Sequence, residues 1–145
     1  MNNLMVASWE PRYDEPRMAL VNEALELVGN GLPIHAEAIA RMHRQSLSLR
    51  KGDVATYRAD LARALDIAAT LAIPEIEAQV SYQQTTCLLL DGELEAARSK
   101  IDESRERMAT IDLWGAKWCG IVLPSCLAWW EGSLGAMAEE LIEAC

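Results

Sequence analysis

Phenylalanine is absent from the 145 residues, and glycine and proline together number only 13. So few turn formers argue against a collagen, a long disordered chain and an all-β sandwich with many tight turns. Basic residues are also scarce. Thirteen Lys and Arg stand against 22 Asp and Glu, for a net charge of −9. A nucleic-acid surface needs a basic face to displace counterions, so direct nucleic-acid binding is not expected. Long apolar runs are missing. The nearest to a membrane span, Gly120 to Trp130, falls short of the ~18 residues required and contains Pro124. Met1 to Glu10 hold neither a basic cluster nor an apolar stretch of signal-peptide length, so no secretory signal is expected.

The four cysteines, Cys87, Cys119, Cys126 and Cys145, form no C-x-x-C and no zinc spacing. Cys119 and Cys126 would lie roughly 10 Å apart on a helix rising ~1.5 Å per residue, too far for a disulfide. All four are expected as reduced thiols of a cytoplasmic protein, with no metal and no cofactor.

What is present is ordinary for a globular core: 51% apolar and 24% charged residues. Order along the chain is more telling. Gly52, Gly92 and Gly132 stand 40 residues apart, in Lys51-Gly52-Asp53-Val54, Asp91-Gly92-Glu93-Leu94 and Glu131-Gly132-Ser133-Leu134. Apolar positions recur with them. Val21, Leu61, Ile101 and Leu141 form one series, Ala38, Ala78 and Trp118 a second, Leu49, Leu89 and Trp129 a third. A fixed period near 40 is the mark of a helical solenoid.

Each period holds two helical patterns. Val54, Tyr57, Leu61, Ala64, Leu65, Ala68 and Leu71 fall three or four apart and predict one buried stripe. A break at Ala72-Ile73 follows. Pro74 opens the next helix, with Glu75 and Glu77 on its positive pole, and that helix stops before Gly92. Further helices are expected from Glu93 to about Thr110 and from Trp114 to Trp130. Asp14 is expected to cap a helix from Pro16 to the Gly29–Gly31 region, and Pro33 to start one reaching Leu49. Ser133 begins a last, unpaired helix. The expected fold is all-α: a right-handed α-solenoid of antiparallel helix pairs, about seven helices in all. Its repeats are 14–51, 52–91, 92–131 and a half-repeat 132–145, after an irregular arm at 1–13.

Few residues suggest chemistry. His35 and His43 lie two turns apart on one helix and read as two partly exposed histidines. The charged run from Asp91 to Asp112 reads as a solvated face, with Glu103 and Arg107 an attractive i,i+4 pair worth ~0.2–0.5 kcal/mol. No catalytic residue is expected. The tryptophans stand out. Trp114, Trp118 and Trp129 recur near one face of a helix, with Ser125 between, and Tyr82 occupies the equivalent helix one repeat earlier. Core packing accounts for such residues most simply. The sharper expectation is an aromatic groove for a ligand or partner helix, lined by Tyr82, Trp114, Trp118, Ser125 and Trp129. Gly120 and Pro124 predict a kink in the same helix, and the freed Gly120 carbonyl needs a partner such as Ser125 or Gln83.

These stretches bear a likeness to a known family. Arg58-Ala59-Asp60-Leu61-Ala62-Arg63-Ala64-Leu65-Asp66-Ile67-Ala68-Ala69-Thr70-Leu71, Pro74-Glu75-Ile76-Glu77-Ala78-Gln79, Asp91-Gly92-Glu93-Leu94-Glu95-Ala96-Ala97-Arg98 and Trp129-Trp130-Glu131-Gly132 carry it. The chain resembles the tetratricopeptide-like, MalT-like helical region of bacterial LuxR-type ATPase regulators and related proteins with nucleotide-cyclase domains. Such sequences carry a glycine after the helix that ends here at Leu71, where this chain has Ala72-Ile73. The resemblance implies a scaffold or sensor segment in transcription regulation or signalling, beside an ATPase module and often a DNA-binding helix-turn-helix. The chain has no G-x-x-x-x-G-K-[ST], so nucleotide binding is not expected.

Two uses follow: a non-enzymatic scaffold for protein–protein interaction, or a small-molecule sensor with an aromatic groove. Stopping at Cys145 with an unpaired helix, the chain reads as a fragment of a longer protein or as a subunit that self-associates. Leu134, Met137 and Leu141, on an apolar stripe of the last helix, are the expected self-association residues.

Overall fold

A computed structural model describes residues 10–108 and 114–144. Every regular element among them is helical. A 3-10 turn, Pro11–Tyr13, leads into α1 (Asp14–Glu26). Then come α2 (Ile34–Arg50), α3 (Val54–Leu71), α4 (Pro74–Leu90), α5 (Leu94–Met108) and α6 (Trp114–Trp130). A second 3-10 turn, Leu134–Met137, precedes the short α7 (Ala138–Ala144). No described helix is long and apolar enough to cross a membrane.

The three evenly spaced glycines are the joints. Gly52, Gly92 and Gly132 take φ of 76°, 74° and 71°. Each cap repeats the same hydrogen bonds. The amide of Gly52 donates to Leu49 O and that of Asp53 to Ser48 O. Gly92 and Glu93 donate in the same way to Leu89 and Leu88, and Gly132 and Ser133 to Trp129 and Ala128. This is the Schellman pattern, in which a left-handed residue lets the chain turn back and satisfy the last carbonyls of the helix. Downstream of the first joint, the Asp53 carboxylate accepts the Thr56 amide at 3.0 Å and caps α3. The break after α3 uses no glycine. Ala72 itself takes the left-handed conformation, φ 49°, and Pro74 then opens α4.

Several expected boundaries are corrected. Asp14 does not cap α1: it is the first helical residue, after Tyr13, and its carboxylate faces Arg50 Nε at 3.2 Å and Arg17 Nη1 at 3.9 Å. The helix ends at Glu26, well before Gly29, in a run of turns that includes Leu27. Residues 11–13 are a helical turn, not irregular chain. Ser133 opens a 3-10 turn in place of a regular helix. The expected end of α5 near Thr110 lies outside the described residues.

The chain divides into two compact units, residues 1–76 and 77–145, so the division falls inside α4 and not at a glycine joint. In the first unit, Val21 and Ala24 of α1 pack on Ala40 and Leu47 of α2, with Met18, Leu20 and Leu25 around them. α2 in turn packs on α3, whose Tyr57, Leu61, Ala64, Ile67 and Ala68 are buried. Ala38, Ala40 and Ala64 are wholly buried, and small side chains of this kind let helix axes approach closely. In the second unit, Leu89 of α4, Ala97 and Ile101 of α5, and Leu123 and Leu127 of α6 form the core. Tyr82, Leu88, Leu94 and Cys126 pack against it.

Candidate functional site

The strongest polar feature lies between α2 and α3. Glu37 and Asp60 are buried carboxylates, and three arginines converge on them. Arg44 donates from Nε to Asp60 Oδ2 at 2.6 Å and from Nη2 to Asp60 Oδ1 at 2.7 Å. Arg41 bridges the two acids, from Nη1 to Asp60 Oδ1 at 2.7 Å and from Nε to Glu37 Oε1 at 2.9 Å. Arg63 grips both oxygens of Glu37, at 2.9 and 3.0 Å. Arg44 also reaches Asn22 of α1 at 3.4 Å. The hydrogen bond from Arg63 is the first reason that Glu37 sits below the usual carboxylate range; burial opposes it and Arg41 adds to it. Asp60 likewise holds Arg44 above its ordinary value.

Two carboxylates gripped by bidentate guanidiniums have their acceptor oxygens already engaged. Their chemistry is that of a clamp. A buried pair of this kind is weak evidence for stability, yet it is intolerant of losing one partner. Its hydrogen bonds tie α2 to α3 at three points, Glu37 to Arg63 and Arg41 and Arg44 to Asp60.

Other polar groups lie near by in sequence. Gln45 is wholly buried, and neither its amide oxygen nor its nitrogen has a hydrogen-bond partner in the protein. His43 is half-buried; burial first, then the charge of Arg17, lowers its pKa from 6.5 to about 4. His35 is exposed. Among the described residues no group of three or more His, Cys, Asp or Glu is placed to hold a metal ion. Neither Cys87 nor Cys126 is in a disulfide, and burial pushes the Cys126 thiol upward.

Of the residues expected to line an aromatic groove, Tyr82, Ser125 and Trp129 have described side chains. Tyr82 is half-buried against the core of the second unit. The Ser125 hydroxyl donates to Ile121 O at 2.8 Å, so it serves a carbonyl next to the one that Pro124 frees. The side chains of Trp114 and Trp118 lie outside the described residues. Trp129 stands 72% exposed and its neighbour Trp130 59%, at the last turn of α6. Trp129 is therefore a surface residue. Its register partner one period earlier, Leu89, is buried in the core.

Beyond the Gly132 joint, Leu134, Met137 and Leu141 are only half-buried, whereas Ile142 is 76% exposed. Sequence reasoning did not single out Trp130 for exposure, and it missed the clamp. The i,i+4 spacing of Glu37 and Arg41 was the one local signal available for the clamp. The charged face of α5 is solvated as expected; Lys100 pairs with Glu103 at 3.0 Å, and Arg98 reaches across to Glu131. Arg107 lies outside the residues whose side chains are described.

No protein-family model, no curated protein and no solved structure matches the chain.

Proposed function

We propose that the chain is a tetratricopeptide-like scaffold for protein–protein interaction, a regulatory segment of a bacterial signalling or transcription regulator working in the cytoplasm. Its helices pair antiparallel and stack as a right-handed α-solenoid. Three identical glycine caps 40 residues apart support the repeat. Contact register supports the antiparallel pairing: Glu37 meets Arg63 while Arg41 and Arg44, further along α2, meet Asp60, further back on α3.

The observation that carries the reading is the exposure of Trp129 and Trp130, side by side at the end of α6. Tryptophan is the residue most enriched where partners bind tightly, and two exposed together are costly to leave in water. A sensor groove needs enclosing walls, so this exposure favours a macromolecular partner over a small molecule. The test is capture of partners from a bacterial extract on the full chain and on its W129S/W130S variant. Proteins retained by the first and lost by the second are expected. Equal retention by both overturns the reading.

A further inference from the structure

The second unit is unevenly charged. It holds twelve carboxylate side chains against five Lys and Arg, a net of −7 out of −9, and from Trp118 to Cys145 there is no lysine or arginine at all. The exposed tryptophans sit within that acidic region. The turn 91–93 joins the end of α4 to the start of α5, and Arg98 near the start of α5 pairs with Glu131 just past the end of α6. These ends therefore meet at one pole of the unit, together with the joint that leads to α7, which packs on α6. Trp129 and Trp130 at the end of α6 and Leu90 at the end of α4 give that pole exposed apolar area, and Ile142 of α7 is exposed as well. Glu95, in the first turn of α5, and Glu139, in the first turn of α7, are exposed carboxylates, and Arg98, the cation nearest the tryptophans in sequence among the described ion pairs, is already engaged by Glu131.

We infer that this pole docks a basic amphipathic segment of a partner protein, an helix or strand that offers apolar side chains to Trp129 and Trp130 and lysine or arginine to the surrounding carboxylates. The inference rests on the scaffold reading above and adds the chemistry of the partner. Charge decides between the occupants. A second copy meeting the same pole across a two-fold axis would set one acidic surface against another. A basic segment neutralises the same carboxylates, and its cations also find tryptophan faces. Leu134, Met137 and Leu141, the expected self-association residues, are partly covered within the unit, which further lowers the apolar area left for a homotypic contact.

The experiment uses the full chain and two 18-residue amphipathic peptides of leucine with lysine or leucine with glutamate, followed by fluorescence anisotropy. The lysine peptide binds and the glutamate peptide does not. Raising NaCl from about 0.05 M to about 0.5 M weakens binding about tenfold or more. W129S/W130S weakens it more than about thirtyfold, with helicity unchanged by circular dichroism. Should that variant lose its fold, E95K/E139K carries the test: it loses the lysine peptide and gains the glutamate one. Failure of the lysine peptide to bind, or binding insensitive to salt and to both variants, overturns the inference. A dimer in sedimentation that W129S/W130S dissolves gives the pole to a second copy and also overturns it, while the interaction reading of the tryptophans stands. Loss of the scaffold reading itself would show separately, as equal capture by wild type and W129S/W130S.

Discussion

Arg44 on α2 holds both oxygens of Asp60 on α3, Nε to Oδ2 at 2.6 Å and Nη2 to Oδ1 at 2.7 Å, and Asp60 is wholly buried. The pair joins residues 16 apart in sequence and sits beside the equally close Arg41 contact.

Removing Asp60 leaves Arg41 and Arg44 partly buried without their shared acceptor. Asp60→Ala is expected to cost about 3–5 kcal/mol in urea unfolding. Adding Arg44→Ala to it costs less than the two single losses combined, because one orphan charge goes with the other. By contrast Glu131→Gln, which breaks the exposed pair with Arg98, stays within about 0.5 kcal/mol. Equal costs for Asp60→Ala and Glu131→Gln would refute the clamp.

Gln45 is the opposite case, a buried amide with nothing to bond. Gln45→Met keeps the volume and removes the unsatisfied polar atoms. Stability is expected to rise by about 1–2 kcal/mol, read as the midpoint of denaturant unfolding. A fall would show that the amide is anchored.

Acid acts through His43 before it reaches the clamp. The folded chain holds His43 near 4, below its ordinary 6.5, so the unfolded chain takes up the proton first. Its contribution is therefore whole above pH 6.5 and is lost as pH falls from 6.5 towards about 4. Glu37 is also depressed, from 4.5, so its contribution is present above that value and is lost at more acidic pH, as its folded carboxylate protonates. Melting temperatures across pH 4 to 7 should fall on the acid side, and His43→Gln should flatten the upper part of that fall and leave the lower.

Backbone conformation makes a paired prediction. Ala72→Gly relieves a left-handed alanine and is expected to stabilise by about 0.5–1 kcal/mol. Gly92→Ala imposes the same strain and is expected to cost about 1 kcal/mol or more. Thermal melts of the two variants should move in opposite directions. A shift of the same sign in both would contradict the left-handed assignment at one of them.

Local signals carried most of the helix map. The glycine joints were legible because a left-handed cap restricts residue type, and the stripe from Tyr57 to Ala68 because helical period is written in consecutive residues. Ala72 hid its cap, since alanine is not a residue that announces positive φ. Asp14 misled for a related reason: an acid before a proline has the look of a cap, yet Arg50, 36 residues on, claims its carboxylate. Asp60 was invisible as a core residue, because its three hydrogen bonds come from another helix. Trp129 was legible as a binding candidate, but the extent of its exposure was not. Its period matched it to Leu89, and a period records which face a residue shares, not what covers that face.

At Gly52, Gly92 and Gly132 a methyl group added to the glycine would meet nothing within 4 Å. Bulk is thus no obstacle at these joints; only the torsion is. They select for handedness rather than size. A mirror-image alanine built into any of the three by chemical synthesis, favouring the very torsion its natural counterpart resists, would tighten a joint that every ordinary side chain loosens.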